Sequence, residues 1–247
     1  MAIFVRNAAA FAAVLLVCAC AAAPRGPIER YMSVIDPGGT SPRPAIVLVP
    51  GCDGAGGNVS YAAERMAGEG FVVLTLDYPA AYRRDGGCTP ARTAEIAGDV
   101  VRATNRLRDL ADVDPTRIHL VGWAEGGAGV MRALADPDLA RAADARSAAT
   151  LYPICAALGG QWRIGVPFLM LLGESDRVAP AQTCIALAEN APGADRVLAI
   201  RYGGAGHAFD VPQQAAGAND RRLRDAALQD IRIFFGAPAS SRPNPTR

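Results

Sequence analysis

Six short apolar runs most constrain what this chain can fold into: AIVLVPG (45–51), FVVLTLDYP (71–79), RIHLVGW (117–123), AATLYP (148–153), VPFLMLLGE (166–174) and RVLAIRY (196–202). Each is apolar throughout rather than at every second residue and is bounded by Gly, Pro or Asp, the pattern of a strand buried on both faces of a parallel sheet. Helical segments lie between them, at about 60–68, 90–110, 126–135, 180–189 and 219–235. In TAEIAGDVVRATNRLRDL, Ile96, Val100, Val101, Leu107 and Leu110 fall on one helical face, so that helix packs on the sheet. Alternating strands and helices make this an α/β chain with a mostly parallel central sheet flanked by helices; residues 30–34 are expected to add an antiparallel edge. At 247 residues and 51% apolar, the chain suits one sizeable core.

The formal net charge is +1 and the Lys and Arg residues are scattered, so nucleic acid is excluded as a partner. The opening MAIFVRNAAAFAAVLLVCACAAAP has a basic start at Arg6, an apolar stretch from about Ala8 to Val17 and a small-residue region, which together read as an export signal over 1–23. Its uncharged run stops short of the ~20 residues that span a bilayer. Val17-Cys18-Ala19-Cys20 resembles a bacterial lipobox, which would make Cys20 a lipidated residue and a lipid anchor the one membrane contact. With Ala21 next, such a lipoprotein belongs in the outer membrane; cleavage at Ala21-Ala22-Ala23 would instead release a soluble periplasmic protein. The folded domain is expected over 24–236 and a disordered tail over 237–247. Cys52, Cys88, Cys155 and Cys184 remain after the signal, an even number in a compartment where disulfides persist, and four cysteines allow three pairings.

The stretch HLVGWAEGGAGVM (119–131) runs from a strand into a turn spaced like a G-x-S-x-G nucleophile elbow, but Ala124 occupies the nucleophile position. Gly122 and Gly126 would let the turn pass without side-chain collision, and Gly127 would let the helix sit close to the sheet. Downstream, LLGESDRVAP places Asp176 just beyond a strand, and YGGAGHAFD places His207 in a Gly-rich loop before the last helix. Each has an ordinary explanation alone, a helix cap for Asp176 and a loop residue for His207. Together they follow the order nucleophile, acid, histidine of an acyl-transfer site. The other histidine, His119, lies within a strand and reads as a core residue. In VPGCDGAGG, the backbone N–H of Cys52 would face the elbow and form an oxyanion hole with the N–H of Glu125. The Walker pattern is absent, so no phosphate loop is implied.

VPGCDG, VDPTRIHLVGWAEGG, LYPIC, GESDRVAP, GAGHAF and the terminal helix together resemble the dienelactone hydrolase-like proteins of the α/β-hydrolase superfamily, over about 46–235. The resemblance implies an α/β-hydrolase fold without a large cap, and hydrolysis of small esters or lactones by Ser or Cys, His and Asp with no metal or organic cofactor. Asp176 and His207 carry over; a nucleophile at 124 does not. The same fold brings Cys155, at the end of one strand, near Cys184 on the helix after the next, and leaves Cys52 to pair with Cys88 across the mouth of the site. Only ICAALGGQWRIG lies where many relatives insert a cap, so the site should be shallow and open.

Losing a nucleophilic serine costs about 10⁶ in kcat in the well-studied subtilisin case, roughly 8 kcal/mol of transition-state stabilisation. The chain is therefore expected to be inactive, with a small ester- or lactone-like ligand; the alternative is a non-catalytic binding or scaffold lipoprotein of the cell envelope. Metabolic labelling with a fatty-acid analogue separates the two export routes. A lipoprotein takes up label that Cys20→Ala abolishes, whereas an unlabelled, soluble mature chain fits simple secretion.

Overall fold

The computed structural model describes residues 27–40, 42–82, 92–160, 162–211 and 220–236. The leader with Cys20, Cys88 and the 237–247 tail lie outside the described residues. Strands β1 (Met32–Ile35), β2 (Arg43–Val49), β3 (Val72–Leu76), β4 (Val113–Trp123), β5 (Ser147–Leu151), β6 (Phe168–Gly173) and β7 (Val197–Tyr202) form one sheet. Its order is β1-β3-β2-β4-β5-β6-β7, with β1 antiparallel to β3 and every other neighbouring pair parallel.

The continuous apolar runs of β2 to β6 follow from cover on both faces; the run at 196–202 does not share it, because β7 is an edge strand paired only with β6 and its Leu198 is 52% exposed. Along β2, Ala45, Val47 and Val49 enter one core layer while Ile46 and Leu48 enter the other. The first layer is completed by α3 (Thr93–Arg108), α4 (Ala124–Ala135) and α6 (Ala181–Glu189), through residues such as Ile96, Val100, Met131 and Cys184. The second is completed by α1 (Gly57–Gly68) and α7 (Asp220–Phe234), through Val59, Met66, Ala227 and Ile231. At about 1.5–3 kcal/mol for each large aliphatic side chain removed from water, the two layers supply most of the drive to fold. Among the described residues, no helix is long and apolar enough to cross a membrane.

Among the differences from the sequence reading, two have a clear local cause. The run at 71–79 is a strand only to Leu76, because the Asp77 side chain accepts a hydrogen bond from the Ala80 N–H (3.2 Å) and starts a short helix, α2 (Tyr78–Tyr82). A further helix, α5 (Pro137–Ala143), was not expected from periodicity; Asp136 caps it by accepting from the N–H groups of Asp138 (2.9 Å) and Leu139 (3.1 Å), with Pro137 in its first turn. Between β5 and β6 the chain makes only a short 3-10 turn, Cys155–Leu158, and no cap covers the sheet there. That turn is fixed to α6 by the Cys155–Cys184 disulfide, with Cα atoms 5.3 Å apart. Cys52 is also disulfide-bonded.

His119 sits in the second core layer's side of the sheet with 4% exposure, stacked on Phe235 (ring centroids 4.4 Å) and edge-on to Phe71 (6.1 Å), with Nδ1 2.8 Å from the Ser147 hydroxyl. Burial, reinforced by the charges of Arg146 and Arg117, lowers its pKa from 6.5 to about 4. The unfolded chain therefore binds a proton that the folded chain refuses between these values. Stability from this residue is complete above pH 6.5 and is lost as pH falls toward 4, on the order of 3 kcal/mol in all. Urea unfolding at pH 7 and pH 4.5 should show a smaller acid loss for His119→Gln, which keeps a polar partner for Ser147 but does not titrate.

Candidate active site

The site begins where β4 ends. The chain turns from extended Trp123 directly into α4 through Ala124, whose φ is 44°. A side chain in this left-handed region strains the backbone, by about 1–3 kcal/mol, and the packing around it must hold it there. The main constraint is Gly126, which lies so close to the end of β2 that a Cβ there would stand 2.1 Å from the Pro50 carbonyl oxygen. The Ala124 carbonyl accepts from the Ile154 N–H (3.1 Å), which ties the elbow to the segment after β5. On the other side, a Cβ on Gly51 would touch the Ala124 Cβ at 3.4 Å, so the Gly51–Gly54 turn sits against the nucleophile position.

The loops after β6 and β7 bring Asp176 and His207 together. His207 Nδ1 lies 2.8 Å from Asp176 Oδ2; a carboxylate offers only acceptors, so Nδ1–H donates. The other oxygen, Asp176 Oδ1, accepts from the backbone N–H groups of Val178 and Ala179, both at 2.8 Å. Asp176 thus also organises the turn before α6, but it is not the helix cap: Pro180 holds that position, with no side-chain capping bond. It is 5% exposed, and the His207 side chain remains reachable at 24%.

A cleft of about 150 Å³ opens between Cys52, Asp53, Ala124, Tyr152, Val178 and His207. Among the described residues, the non-glycine positions with positive φ are Ala124, Asp144, Tyr152 and Ala208, and three of these line this cleft. Asp144 ends a helix instead. Backbone strain of this kind clusters at functional sites, which makes this cavity the candidate site of the fold. Glu125 contributes no side chain to the cleft lining; it is 2% exposed and its Oε2 accepts from the Tyr78 hydroxyl (3.0 Å). Among the described residues, no group of three or more His, Cys, Asp or Glu could hold a metal ion.

Four residues that sequence reasoning did not single out converge beside His207. The Asp210 carboxylate is 2% exposed and accepts from the Tyr152 hydroxyl, from Trp123 Nε1 (2.7 Å) and from Asn58 Nδ2 (3.3 Å). Burial raises the Asp210 pKa, opposed by these three hydrogen bonds. The Tyr152 hydroxyl, fully enclosed beside that carboxylate, is pushed well above the ordinary tyrosine value, so it stays a donor. The ring of Tyr152 in turn meets the His207 imidazole edge-on, centroids 4.9 Å apart. A signal for them was present in part: Trp123, Tyr152 and Asp210 all stand at or just beyond strand ends on the side of the sheet that carries the elbow, where α/β folds build sites.

A mostly parallel sheet with a strained elbow after its central strand, and a His–Asp pair delivered by the loops after β6 and β7, defines a member of the α/β-hydrolase superfamily. Within it, the model of the PET hydrolase-like family matches residues 33–215, and the chain belongs to that family. It is 28% identical to Cutinase 1 of Thermobifida cellulosilytica over 141 residues, 56% of this chain and 50% of that one. To Lipase 1 of Moraxella sp. (strain TA144) it is 26% identical over 136 residues, 55% of this chain and 39% of the other. The chain thus matches half or less of the length of these relatives. Among solved structures, Thermogutta terrifontis esterase 2 phosphorylated by paraoxon has a TM-score of 0.65 at 21% identity, covering 84% of this chain and 90% of that one. A Klebsiella pneumoniae protein assigned as a dienelactone hydrolase has a TM-score of 0.65 at 16% identity, covering 81% and 90%. At these identities the likeness is one of fold, and it extends the dienelactone hydrolase resemblance no further than that.

The elbow's dependence on Gly126 is directly testable. Gly126→Ala places a methyl group against backbone oxygens of Val49 and Pro50 that have no rotamer to escape through. The variant should lose about 3 kcal/mol or more in urea unfolding, or fail to fold. Stability within 1 kcal/mol of the parent, on the order of an ordinary surface change, would contradict this packing.

Proposed function

We propose that this protein is an exported α/β-hydrolase scaffold for small esters or lactones in which cleavage is disabled at position 124, so that its cleft binds a ligand without turning it over. The observation that carries the reading is Ala124 itself: it stands at φ 44° in the elbow, on a cleft it shares with His207, and His207 is already bonded to Asp176. The cleft's size of about 150 Å³ favours a short acyl group over a long chain. Similarity to proteins named cutinase, lipase and esterase supports an ester as the recognised group. The Cys155–Cys184 disulfide supports an oxidising compartment and hence export.

With a hydroxyl at position 124, each remaining group has a defined task. The serine oxygen attacks the ester carbonyl while His207 takes its proton and then passes it to the leaving alcohol. Asp176, through Nδ1, holds the imidazole in the required tautomer and supports its positive charge. The backbone N–H groups of Cys52 and Glu125 hold the oxyanion. Water then releases the acyl group by the same route in reverse. Without the hydroxyl, binding remains and the covalent step has no attacking atom. The alternative reading, a scaffold lipoprotein held at Cys20 that has no ester-shaped ligand, is favoured by the same alanine.

Ala124→Ser separates these readings. On a small activated ester such as p-nitrophenyl acetate, it should raise activity over the parent by about 10³-fold or more, and adding His207→Ala should remove the gain. A folded Ala124→Ser protein as inactive as the parent, with no effect of His207→Ala, would leave the scaffold reading.

A further inference from the structure

Asp210 is a buried carboxylate on the His207 loop that the proposed chemistry does not use. It receives three neutral donors, and each comes from a different wall of the site. Asn58 lies in the first turn of α1, directly after the Gly51–Gly54 turn; Trp123 is the last residue of β4, one before position 124; and Tyr152 follows β5 at φ 38°. Asp210 itself is three residues after His207, on the same loop. Burying a carboxylate is costly unless its lone pairs are filled, so these donors and this acceptor hold one another in place.

We propose that Asp210 and Tyr152 are positioning residues for His207: the Asp210 carboxylate, gripping the Tyr152 hydroxyl and Trp123 Nε1, fixes the Tyr152 ring against the imidazole and the His207 loop against the elbow. Asp176 fixes His207 at one atom, Nδ1, about which the ring can still tilt. The Tyr152 ring, its centroid 4.9 Å from that of His207 and inclined at 64°, supplies the second restraint. Tyr152 is itself restrained at both ends, by its hydroxyl on Asp210 and by its backbone N–H, which donates to the Leu171 carbonyl (2.8 Å). Phe209 also packs edge-on to the Tyr152 ring, centroids 5.2 Å apart. The Trp123 link adds the register that matters for transfer, because it sets the loop bearing the base relative to the residue next to the attacking position. Misplacing reacting groups by about 1 Å costs on the order of 10²-fold in rate while leaving ground-state binding nearly intact.

The inference rests on His207 acting as the proton-transfer group, so its test has two arms. Tyr152→Phe removes only the hydroxyl; Asp210→Ala removes the acceptor; Asp210→Asn keeps it, since Asn Oδ1 can accept from Trp123 and Asn58 while its amide donates to the Tyr152 oxygen. In the Ala124→Ser background, Tyr152→Phe and Asp210→Ala should lower kcat about 10- to 100-fold with KM changed less than about threefold, and Asp210→Asn should restore most of the loss. In the parent Ala124 protein, the two histidines allow imidazole NMR without ambiguity. There, exchange of the His207 Nδ1 proton should quicken in Tyr152→Phe and Asp210→Ala, return toward the parent rate in Asp210→Asn, and leave His119 unmoved. If Ala124→Ser is active but adding Tyr152→Phe leaves its kcat unchanged, and folded Tyr152→Phe in the Ala124 protein leaves the Nδ1 exchange unchanged, the network is packing alone and this inference is overturned. If Ala124→Ser is inactive while the NMR changes follow this order, the positioning holds and the hydrolytic reading fails.

Discussion

The close approach of α4 to the end of β2 governs the rest of this molecule. Gly126 lies against the Val49 and Pro50 carbonyl groups at a distance no side chain tolerates, so the chain has one residue, Ala124, in which to turn from strand to helix. Its positive φ follows from that constraint and not from any preference of alanine. Position 124 also lies against Gly51, where an added Cβ would stand 3.4 Å from the Ala124 Cβ, so the elbow and the turn after β2 are packed on each other. An elbow of this kind is a property of two packed backbones, and the residue at its tip is a passenger on it.

The two buried carboxylates that flank His207 show how differently one fold compensates the same cost. Asp176 is served mainly by the backbone: two N–H groups of its own turn fill one oxygen and the imidazole the other, a local arrangement that any chain with this turn could make. Asp210 is served mainly by side chains that come from distant parts of the sequence. Its burial raises the pKa while its donors oppose that rise. The first acid fixes an atom; the second fixes the relative placement of chain segments. Loops that carry function need such restraint because they lack the ladder of hydrogen bonds that holds the strands they join.

Legibility in the sequence followed the range of the interaction. The strands at 45–51, 117–123 and 166–174 were readable because cover on both faces leaves an unbroken apolar run, and the sheet required nothing more to predict its parallel character. The elbow was readable because its glycines are adjacent in sequence, and the Asp176–His207 pair because its order along the chain matches a known site class. Where local chemistry competed with periodicity the reading slipped. Asp77 ended β3 early by capping α2, and Asp136 with Pro137 started α5 in a segment without helical periodicity. The Asp210 network was illegible for another reason: its members are separated by up to 152 positions, and only the strand order brings them together.

This division also bears on what survives when a nucleophile is absent. The energetic costs of the site lie in the left-handed backbone at Ala124, Tyr152 and Ala208 and in the burial of Asp176 and Asp210. None of these depends on an oxygen at the tip of the elbow, so removing it relieves no strain and orphans no core group. The lining of the cleft is likewise spread over several segments, from Asp53 and Asn58 to Val178 and Val211. The covalent step is different, since roughly 8 kcal/mol of transition-state stabilisation depends on a single atom. Interactions shared by ground and transition states persist without that atom, while those unique to the transition state do not. What the fold, the cleft and the His–Asp pair require of position 124 is therefore a backbone conformation, and that requirement is met with or without an oxygen on the side chain.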